Sequence, residues 1–254
     1  MHILKALEKQ EQGFAKESGT SGPLDDHLYM HHMPYSYTAE QIRKLRTYIF
    51  HMADRPVPRV IMVTSALPGE GKSLISSNLA IAIAKGEDQQ VLLVDCDLRK
   101  PSLHELFKYT PSIGVSEIIQ GKADVSECLL STSIENLTIL PAAKEPPANP
   151  SELLESKKTG ALIKDLADRD GNWFIIIDTP PIQATVDPKI MADVVEGIIM
   201  VVRYRYTSEA EFKMALEILP KEKVLGTVLN AVDELPVKKY QYNKYKYYKN
   251  YYNR

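Results

Sequence analysis

Short apolar runs alternate with longer amphipathic stretches along most of the chain. Six runs have the continuous apolar character of buried strands: "RVIMVTS", "QVLLVD", "LTIL", "WFIIID", "GIIMVVR" and "KVLGTVLN". Stretches with helical spacing separate them: "SLISSNLAIAIAKG", "SELLESKKTGALIKDLADR", "DPKIMADVV" and "SEAEFKMALEIL". Because parallel strands need crossover helices that cover both faces of a sheet, the pattern predicts an α/β fold with a mostly parallel sheet.

A further helix is predicted upstream of the first strand, in "TAEQIRKLRTYIFHMAD", residues 38–54. Its apolar residues, Ile42, Leu45, Ile49 and Met52, follow each other at helical spacing and define one face. Thr38 and Gln41 have the spacing of a capping box and predict where the helix starts.

Residues 1–37 are polar, and we expect them to form a flexible arm or linker. His27, His31 and His32 in this segment are candidates for metal binding, but no acid or cysteine completes a site, so a solvated segment is the favoured interpretation. The expected organisation is an arm at 1–37, a P-loop domain at 38–236 and a tail at 237–254.

Length and composition restrict the class of protein. A chain of 254 residues with 44% hydrophobic residues can bury one large core, and a net charge of −2 argues against a nucleic-acid-binding body. Two cysteines, Cys96 and Cys128, fit a reducing compartment. No apolar run reaches the length of a membrane span and no signal peptide is evident, so a cytoplasmic location is expected.

The strand "RVIMVTS" runs directly into "ALPGEGKS", residues 66–73, and then into a helical pattern. This is the context of a phosphate-binding P-loop, although Ala66 replaces the first glycine of G-x-x-x-x-G-K-[ST]. Gly69 and Gly71 let backbone N–H groups approach phosphate, Lys72 supplies a positive charge, and Ser73 offers a hydroxyl group to Mg²⁺.

Two other strands end in carboxylates. "VLLVDCD" places Asp95 and Asp97, and "FIIIDTPP" places Asp178, at the carboxyl edge of the sheet. Each aspartate alone could merely cap a helix or face solvent. Behind a P-loop, the three together predict a site for Mg²⁺ and a nucleotide.

The chain ends in "KKYQYNKYKYYKNYYNR", residues 238–254, which holds seven of the 14 tyrosines. These tyrosines define no face at helical or strand spacing, and lysines separate them. We therefore expect a flexible, accessible tail.

Several of these motifs together resemble one family. "TSALPGEGKS", "LLVDCDLRKP" and "FIIIDTPP" resemble the Walker A, Walker A′ and Walker B motifs of the bacterial tyrosine kinases, or BY-kinases, of polysaccharide export systems. The resemblance spans roughly residues 38–254 and includes "NPSELL" at 149–154 and the tyrosine-rich tail. Glu40, Arg43 and Arg46 match the family's E-x-x-R-x-x-R oligomerisation motif.

The resemblance implies a P-loop NTPase-type fold and a protein-tyrosine autokinase that uses ATP and Mg²⁺ to control exopolysaccharide or capsule polymerisation and export. It makes Lys72, Asp95 and Asp97 catalytic and Ser73, Asp97 and Asp178 the metal ligands, with Asp95 orienting or deprotonating the attacking phenol. The implied nucleotide-binding residues are Pro68, Gly69, Glu70, Gly71, Lys72, Ser73, Leu74 and Asn230. The implied phosphoacceptors are Tyr240, Tyr242, Tyr245, Tyr247, Tyr248, Tyr251 and Tyr252.

Asn230 needs separate treatment, because Asn230 and Asp233 resemble the guanine-reading N-K-x-D sequence with Ala231 in the lysine position. In relatives of this P-loop class an asparagine at this strand end contacts adenine, so ATP is favoured.

The resemblance also implies partners: a ring-like homo-oligomer, such as an octamer; a transmembrane activator or polysaccharide co-polymerase that recruits the kinase to the inner face of the plasma membrane; and a tyrosine phosphatase. No nucleic acid is expected. Without the family, Glu40, Arg43 and Arg46 indicate only a solvated helix face, and Asn149, Pro150 and Glu152 only a well-formed helix start.

Two alternatives belong to other functional classes. A ParA/MinD-like ATPase shares this sheet and these motifs, but its early signature lysine is replaced here by Leu67. A non-enzymatic module that binds single-stranded nucleic acid or anionic lipid through the tail is compatible with the composition but leaves the P-loop unexplained.

Overall fold

The computed structural model describes residues 22–86, 89–110, 112–143, 145–168 and 173–232. A seven-stranded sheet lies at the centre of the described part of the chain, in the order β3-β4-β2-β5-β1-β6-β7. The strands are β1 Val60–Ser65, β2 Val91–Asp95, β3 Leu130–Ser131, β4 Leu137–Leu140, β5 Phe174–Asp178, β6 Gly197–Arg203 and β7 Val224–Asn230. All pairs are parallel except β3 with β4, so the predicted mostly parallel sheet is confirmed.

Helices cover both faces of the sheet, as predicted. They are α1 Tyr29–His32, α2 Tyr37–Phe50, α3 Lys72–Ala84, α4 Leu103–Phe107, α5 Val115–Gln120, α6 Val125–Cys128, α7 Pro150–Glu155, α8 Lys157–Ala167, α9 Asp187–Met191 and α10 Glu209–Ile218. One apolar core lies between the sheet and α1–α4, and a second lies between the other face and α5–α10. Alternate residues of β1 point into each core, with Ile61 and Val63 in the first and Val60 and Met62 in the second.

Helix α3 is the central helix of the first core. Every residue from Ile75 to Ala84 is buried, because the sheet lies on one side of the helix and α1 and α2 lie on the other. A helix enclosed on all sides is apolar all round, which explains why the sequence "LAIAIA" shows no polar face. Cys96 is 1% exposed and lies in the second core.

The expected flexible arm at 1–37 is wrong for residues 22–37. Leu28 and Met30 are buried against the first core, and the backbone N–H of Met30 donates to Asn78 Oδ1 at 3.0 Å. The apolar side chains within this polar segment therefore attach it to α3. Residues 1–21 lie outside the described residues. Across the described ranges, no cluster of three or more His, Cys, Asp or Glu residues is arranged to hold a metal ion.

The predicted capping box of the upstream helix is also wrong. Helix α2 begins at Tyr37, and Ser36 is its N-cap, with Ser36 Oγ accepting from the N–H of Ala39 at 3.1 Å. The N–H of Ser36 donates to Met33 O, which holds Ser36 in the extended conformation that an N-cap needs. Thr38 consequently lies inside the first turn.

Nowhere in the described ranges is a helix both long and apolar enough to cross a membrane.

Leu28 provides a test of the packed segment. Leu28→Ala removes a fully buried side chain and should lower the free energy of unfolding by about 2–5 kcal/mol. Met33→Ala, at a side chain that is 46% exposed, is the matched control and should change it by at most about 0.5 kcal/mol. Urea titration followed by circular dichroism measures both, and a Leu28→Ala protein as stable as the parent would contradict this packing.

Candidate functional site

The P-loop connects β1 to α3 in the conformation that phosphate binding requires. Gly69 and Gly71 have φ angles of +78° and +87°, which lie in the left-handed region that favours glycine. A methyl group at Gly71 would also lie 2.2 Å from the side-chain nitrogen of Asn230. Helix α3 starts at Lys72 and no side chain caps its first turn, which is the arrangement in which the N–H groups of a helix start can bind phosphate.

Lys72 is the positive charge of the site. Its Nζ lies 2.9 Å from Asp97 Oδ2, and its side chain is 13% exposed. Burial alone would lower the pKa of Lys72, but the charges of Asp178 and Asp97 outweigh this effect and raise it. Lys72 is therefore cationic, and in this structure it forms an ion pair with Asp97.

The three predicted aspartates converge at one edge of the sheet. Asp95 and Asp178 end β2 and β5 and are paired in register, and the N–H of Asp97 donates to Asp95 Oδ1 at 3.1 Å. All three side chains are buried. The structure thus brings together the carboxylates that the sequence placed on separate strands.

Asp95 also holds the backbone that follows it. Its Oδ2 accepts from the N–H groups of Ser102 and Leu103, at the start of α4, both at 3.3 Å. Burial, together with the charges of Asp178 and Asp97, raises the pKa of Asp95 to about 8. A carboxyl group with that pKa can exchange a proton near neutral pH.

Asp178 is the carboxylate that fits a metal ion best. It is fully buried, and neither of its oxygens makes a hydrogen bond of regular geometry within the described residues, although the nearby hydroxyl groups of Ser73 and Ser76 act to lower its pKa. Burial raises its pKa, and the charge of Lys72 acts in the opposite direction. A buried carboxylate with open coordination positions, beside a second carboxylate and the Ser73 hydroxyl, is a donor set suited to Mg²⁺.

Ser102 is a site residue that sequence reasoning missed. Its hydroxyl donates to Ser73 Oγ at 2.7 Å, so it contacts the hydroxyl group proposed for the metal. The sequence carried no signal for this contact, because Ser102 lies 29 positions from Ser73 and belongs to no motif that we had singled out.

A second cluster that was missed links the loops around the site. Arg99 Nε donates to Asp187 Oδ2 at 3.0 Å, and Arg99 Nη2 donates to Ser151 Oγ at 2.7 Å. Asp187 is completely buried. Arg99 follows the Walker A′ strand, Ser151 belongs to "NPSELL", and Asp187 starts α9, so the cluster joins three segments distant in sequence.

The comparisons with known proteins agree with this geometry. A model of the AAA domain family matches residues 58–221. The putative tyrosine-protein kinase CapB of Staphylococcus aureus is 35% identical over 228 residues, which are 89% of this chain and 95% of CapB. The tyrosine-protein kinase YwqD of Bacillus subtilis (strain 168) is 36% identical over 202 residues, 78% of this chain and 82% of YwqD.

The chain belongs to the bacterial tyrosine-protein kinase family. Among solved structures, the chimerical protein CapA2B2 is similar, with a TM-score of 0.75 and 32% identity over 84% of this chain and 96% of that one. The MinD protein of Pyrococcus horikoshii OT3, complexed with Mg-ADP, has a TM-score of 0.57 and 23% identity over 73% of this chain and 76% of that one, which shows a shared fold alone. The predicted family, P-loop fold and enzyme class are confirmed, and the ATPase alternative is the more distant relationship.

The other residues that the family resemblance singled out are described only in part by the structure. Helix α7 begins at Pro150 with Asn149 as N-cap, which confirms the predicted helix start, although the Asn149 side chain accepts no capping hydrogen bond and its Nδ2 donates to Glu152 Oε2 at 2.9 Å. Arg43 pairs with Glu40 at 3.0 Å, and Arg46 Nη1 donates to Ala82 O at 2.7 Å. Asp233 and the seven tail tyrosines lie outside the described residues.

The raised pKa of Asp95 predicts a pH-dependent stability in the metal-free protein. Because the folded-state pKa of about 8 exceeds the ordinary aspartate value of 3.8, folding takes up a proton between these limits, and stability is lost as pH rises. Asp95→Asn removes this loss and, since an amide keeps a single acceptor oxygen, gives up one or two of the three backbone hydrogen bonds that Asp95 accepts. That second effect does not depend on pH, so the stability of the variant relative to the parent should improve by up to about 4 kcal/mol between pH 5 and pH 8.

Thermal unfolding at both pH values in the presence of a chelator measures the difference. Asp54→Asn, at an exposed position, is the control and should differ from the parent equally at pH 5 and pH 8. A constant difference for Asp95→Asn across this range would show that Asp95 is ionised in the folded protein.

Proposed function

We propose that the protein is an autokinase that transfers the γ-phosphoryl group of ATP to tyrosines of its own C-terminal segment. The observation that carries this proposal is the meeting of Lys72 with three buried aspartates directly beside a P-loop. Phosphoryl transfer needs positioned positive charge around the transferred group and little covalent chemistry from the protein, and this edge of the sheet supplies the required groups.

The site residues divide into three roles. The P-loop backbone from Pro68 to Leu74 binds the phosphates, and Lys72 leaves Asp97 to contact them. Ser73, Asp97 and Asp178 hold Mg²⁺, which neutralises charge on the phosphates when bound. Asp95 orients the attacking phenol or accepts its proton, for which its pKa of about 8 is suited.

Asn230 is proposed as the residue that contacts adenine. In this structure its Nδ2 donates to Glu70 O at 2.8 Å, so it lies against the P-loop. Its position at the end of β7 places an amide group beside the phosphate-binding loop, where a base attached to the bound phosphates can reach it.

The acceptors are proposed from the sequence. Tyr240, Tyr242, Tyr245, Tyr247, Tyr248, Tyr251 and Tyr252 lie among lysines that favour approach to an acidic, nucleotide-loaded site. Transfer occurs in trans within a ring-like homo-oligomer in which Glu40, Arg43 and Arg46 contribute to the interface. A transmembrane activator or co-polymerase positions the cytoplasmic kinase at the plasma membrane, and a phosphatase reverses the reaction, so that phosphorylation controls polysaccharide export.

Lys72→Met tests the transfer. We expect phosphotyrosine between Tyr240 and Tyr252 after incubation of the parent with Mg·ATP, and a loss of about 100-fold or more in the variant, because the charge next to the transferred group is gone. Mass spectrometry of the C-terminal peptide measures both. Lys164→Met, at an exposed lysine of α8, is the matched control and should phosphorylate normally. ATP hydrolysis by the parent with unmodified tyrosines would favour the partitioning-type ATPase.

The proposed interface needs a test that separates assembly from folding, because Arg46 also contacts Ala82 O within the same chain. Arg43→Ala with Arg46→Ala should give monomers by light scattering and weak autophosphorylation, and its melting temperature should be recorded in parallel. Lys44→Ala, at an exposed position of the same helix, should assemble normally. If a folded double variant assembles like the parent, the proposed interface is contradicted and these residues form only a solvated helix face.

A further inference from the structure

The turn between β6 and α10, residues 203–207, is bonded to the P-loop. The N–H of Arg203 donates to Glu70 Oε1 at 3.2 Å, and the Thr207 hydroxyl group donates to the same oxygen. Glu70 Oε2 accepts from the N–H of Leu67 at 2.6 Å, and Arg203 Nη1 reaches Gly69 O at 3.5 Å. The buried Glu70 carboxylate therefore fixes this turn beside the phosphate-binding loop.

The same turn is joined to the end of β7. Arg203 and Asn230 are paired in register, and the N–H of Tyr204 donates to Asn230 O at 2.9 Å. Since Asn230 also donates to Glu70 O, the P-loop, the 203–207 turn and the end of β7 form one continuous surface.

Planar side chains line the turn on the solvent side. Tyr206 is 51% exposed, and the Arg203 guanidinium carbon lies 5.5 Å from the centroid of its ring. Arg205 has the same relation to Tyr204, also at 5.5 Å. Aromatic rings and guanidinium planes are the groups on which proteins stack nucleobases.

The two flanks of the P-loop differ in chemistry. Toward β5 and β2 the edge is occupied by Asp95, Asp97 and Asp178, which suit a metal ion and phosphate but not an uncharged base. Toward β6 and β7 the edge carries Asn230 and the planar groups of the turn. A nucleotide with its phosphates on the P-loop is therefore directed with its base toward the second flank.

The geometry points to residues 203–206 as the stacking wall for the nucleobase of ATP, with Tyr206 as its main planar contact. This inference rests on the nucleotide site of the proposed function and adds the residues that recognise the base. Asn230 supplies the polar contact at the edge of the base. The ring of Tyr206 supplies a stacking surface, which binds a base whatever hydrogen-bonding groups the base carries.

The test compares a ligand that has a base with one that has none. Dissociation constants of Mg·ADP and of Mg·tripolyphosphate are measured by calorimetry for the full chain, for Tyr206→Ala and for Tyr206→Phe. Loss of one stacking contact corresponds to roughly 5- to 150-fold in affinity, so Tyr206→Ala should bind ADP about tenfold more weakly or worse. Tripolyphosphate binding should stay unchanged, and Tyr206→Phe, which keeps the ring, should bind ADP like the parent.

The alternatives give different results. Tyr206→Ala that binds ADP within twofold of the parent would overturn the stacking wall. An equal loss of ADP and tripolyphosphate would also overturn it, because the turn would then act on the phosphates through Glu70. A parent chain that binds neither ligand would overturn the nucleotide site of the proposed function, and the stacking wall with it.

Discussion

The crowding of negative charge at one buried edge of the sheet is the constraint on which the rest of the site depends. Asp95, Asp97 and Asp178 meet there, and Lys72 pairs directly with Asp97 while its charge also acts on the other two. Removing ionised carboxylates from water costs several kcal/mol each unless they are paired, so the arrangement is stable only with compensating charge or with bound protons. Burial raises the pKa values of Asp95 and Asp178, which favours the second solution in the metal-free protein. A metal ion would supply compensating positive charge instead, so the buried carboxylates favour binding of a divalent cation at this edge.

The P-loop is held in place before any ligand arrives. Glu70 is buried beneath the loop and bonded to the 203–207 turn, and Asn230 reaches the backbone of the loop from β7. Preorganised N–H groups need no rearrangement when phosphate binds, which favours tight binding. The side chains of Lys72 and Ser73 are not preorganised in the same way. Lys72 is paired with Asp97, and Ser73 Oγ accepts a hydrogen bond from the Ser102 hydroxyl group. Binding of a nucleotide therefore exchanges side-chain partners on a backbone that is already arranged.

Much of the fold could be predicted because its strands are continuous apolar runs and its acidic residues terminate two of them. The break between α7 and α8 at Ser156 was missed, since neither proline nor glycine marks it and the backbone turns there through an ordinary extended conformation. Residues 22–37 were misjudged because Leu28 and Met30 are isolated among polar residues, and only α3 supplies the surface that buries them. Ser102, Asp187 and Tyr206 could not be found, because their roles depend on contacts between segments whose spacing in sequence carries no periodic signal.

The residues of helix α2 that we propose for an oligomer interface also make contacts within the fold. Arg46 donates to the carbonyl of Ala82 in the last turn of α3, and a cation at that position is also favoured by the helix dipole. Arg43 is paired with Glu40 and also donates to Pro34 O, and the Arg43 and Glu40 side chains are 26% and 18% exposed. Since α3 starts at Lys72, the contacts of Arg46 lie at one end of the helix whose other end binds phosphate. An interface formed through Arg43 and Arg46 would consequently act on α3, the helix that follows the P-loop. It would link assembly to the active site through a single rigid element.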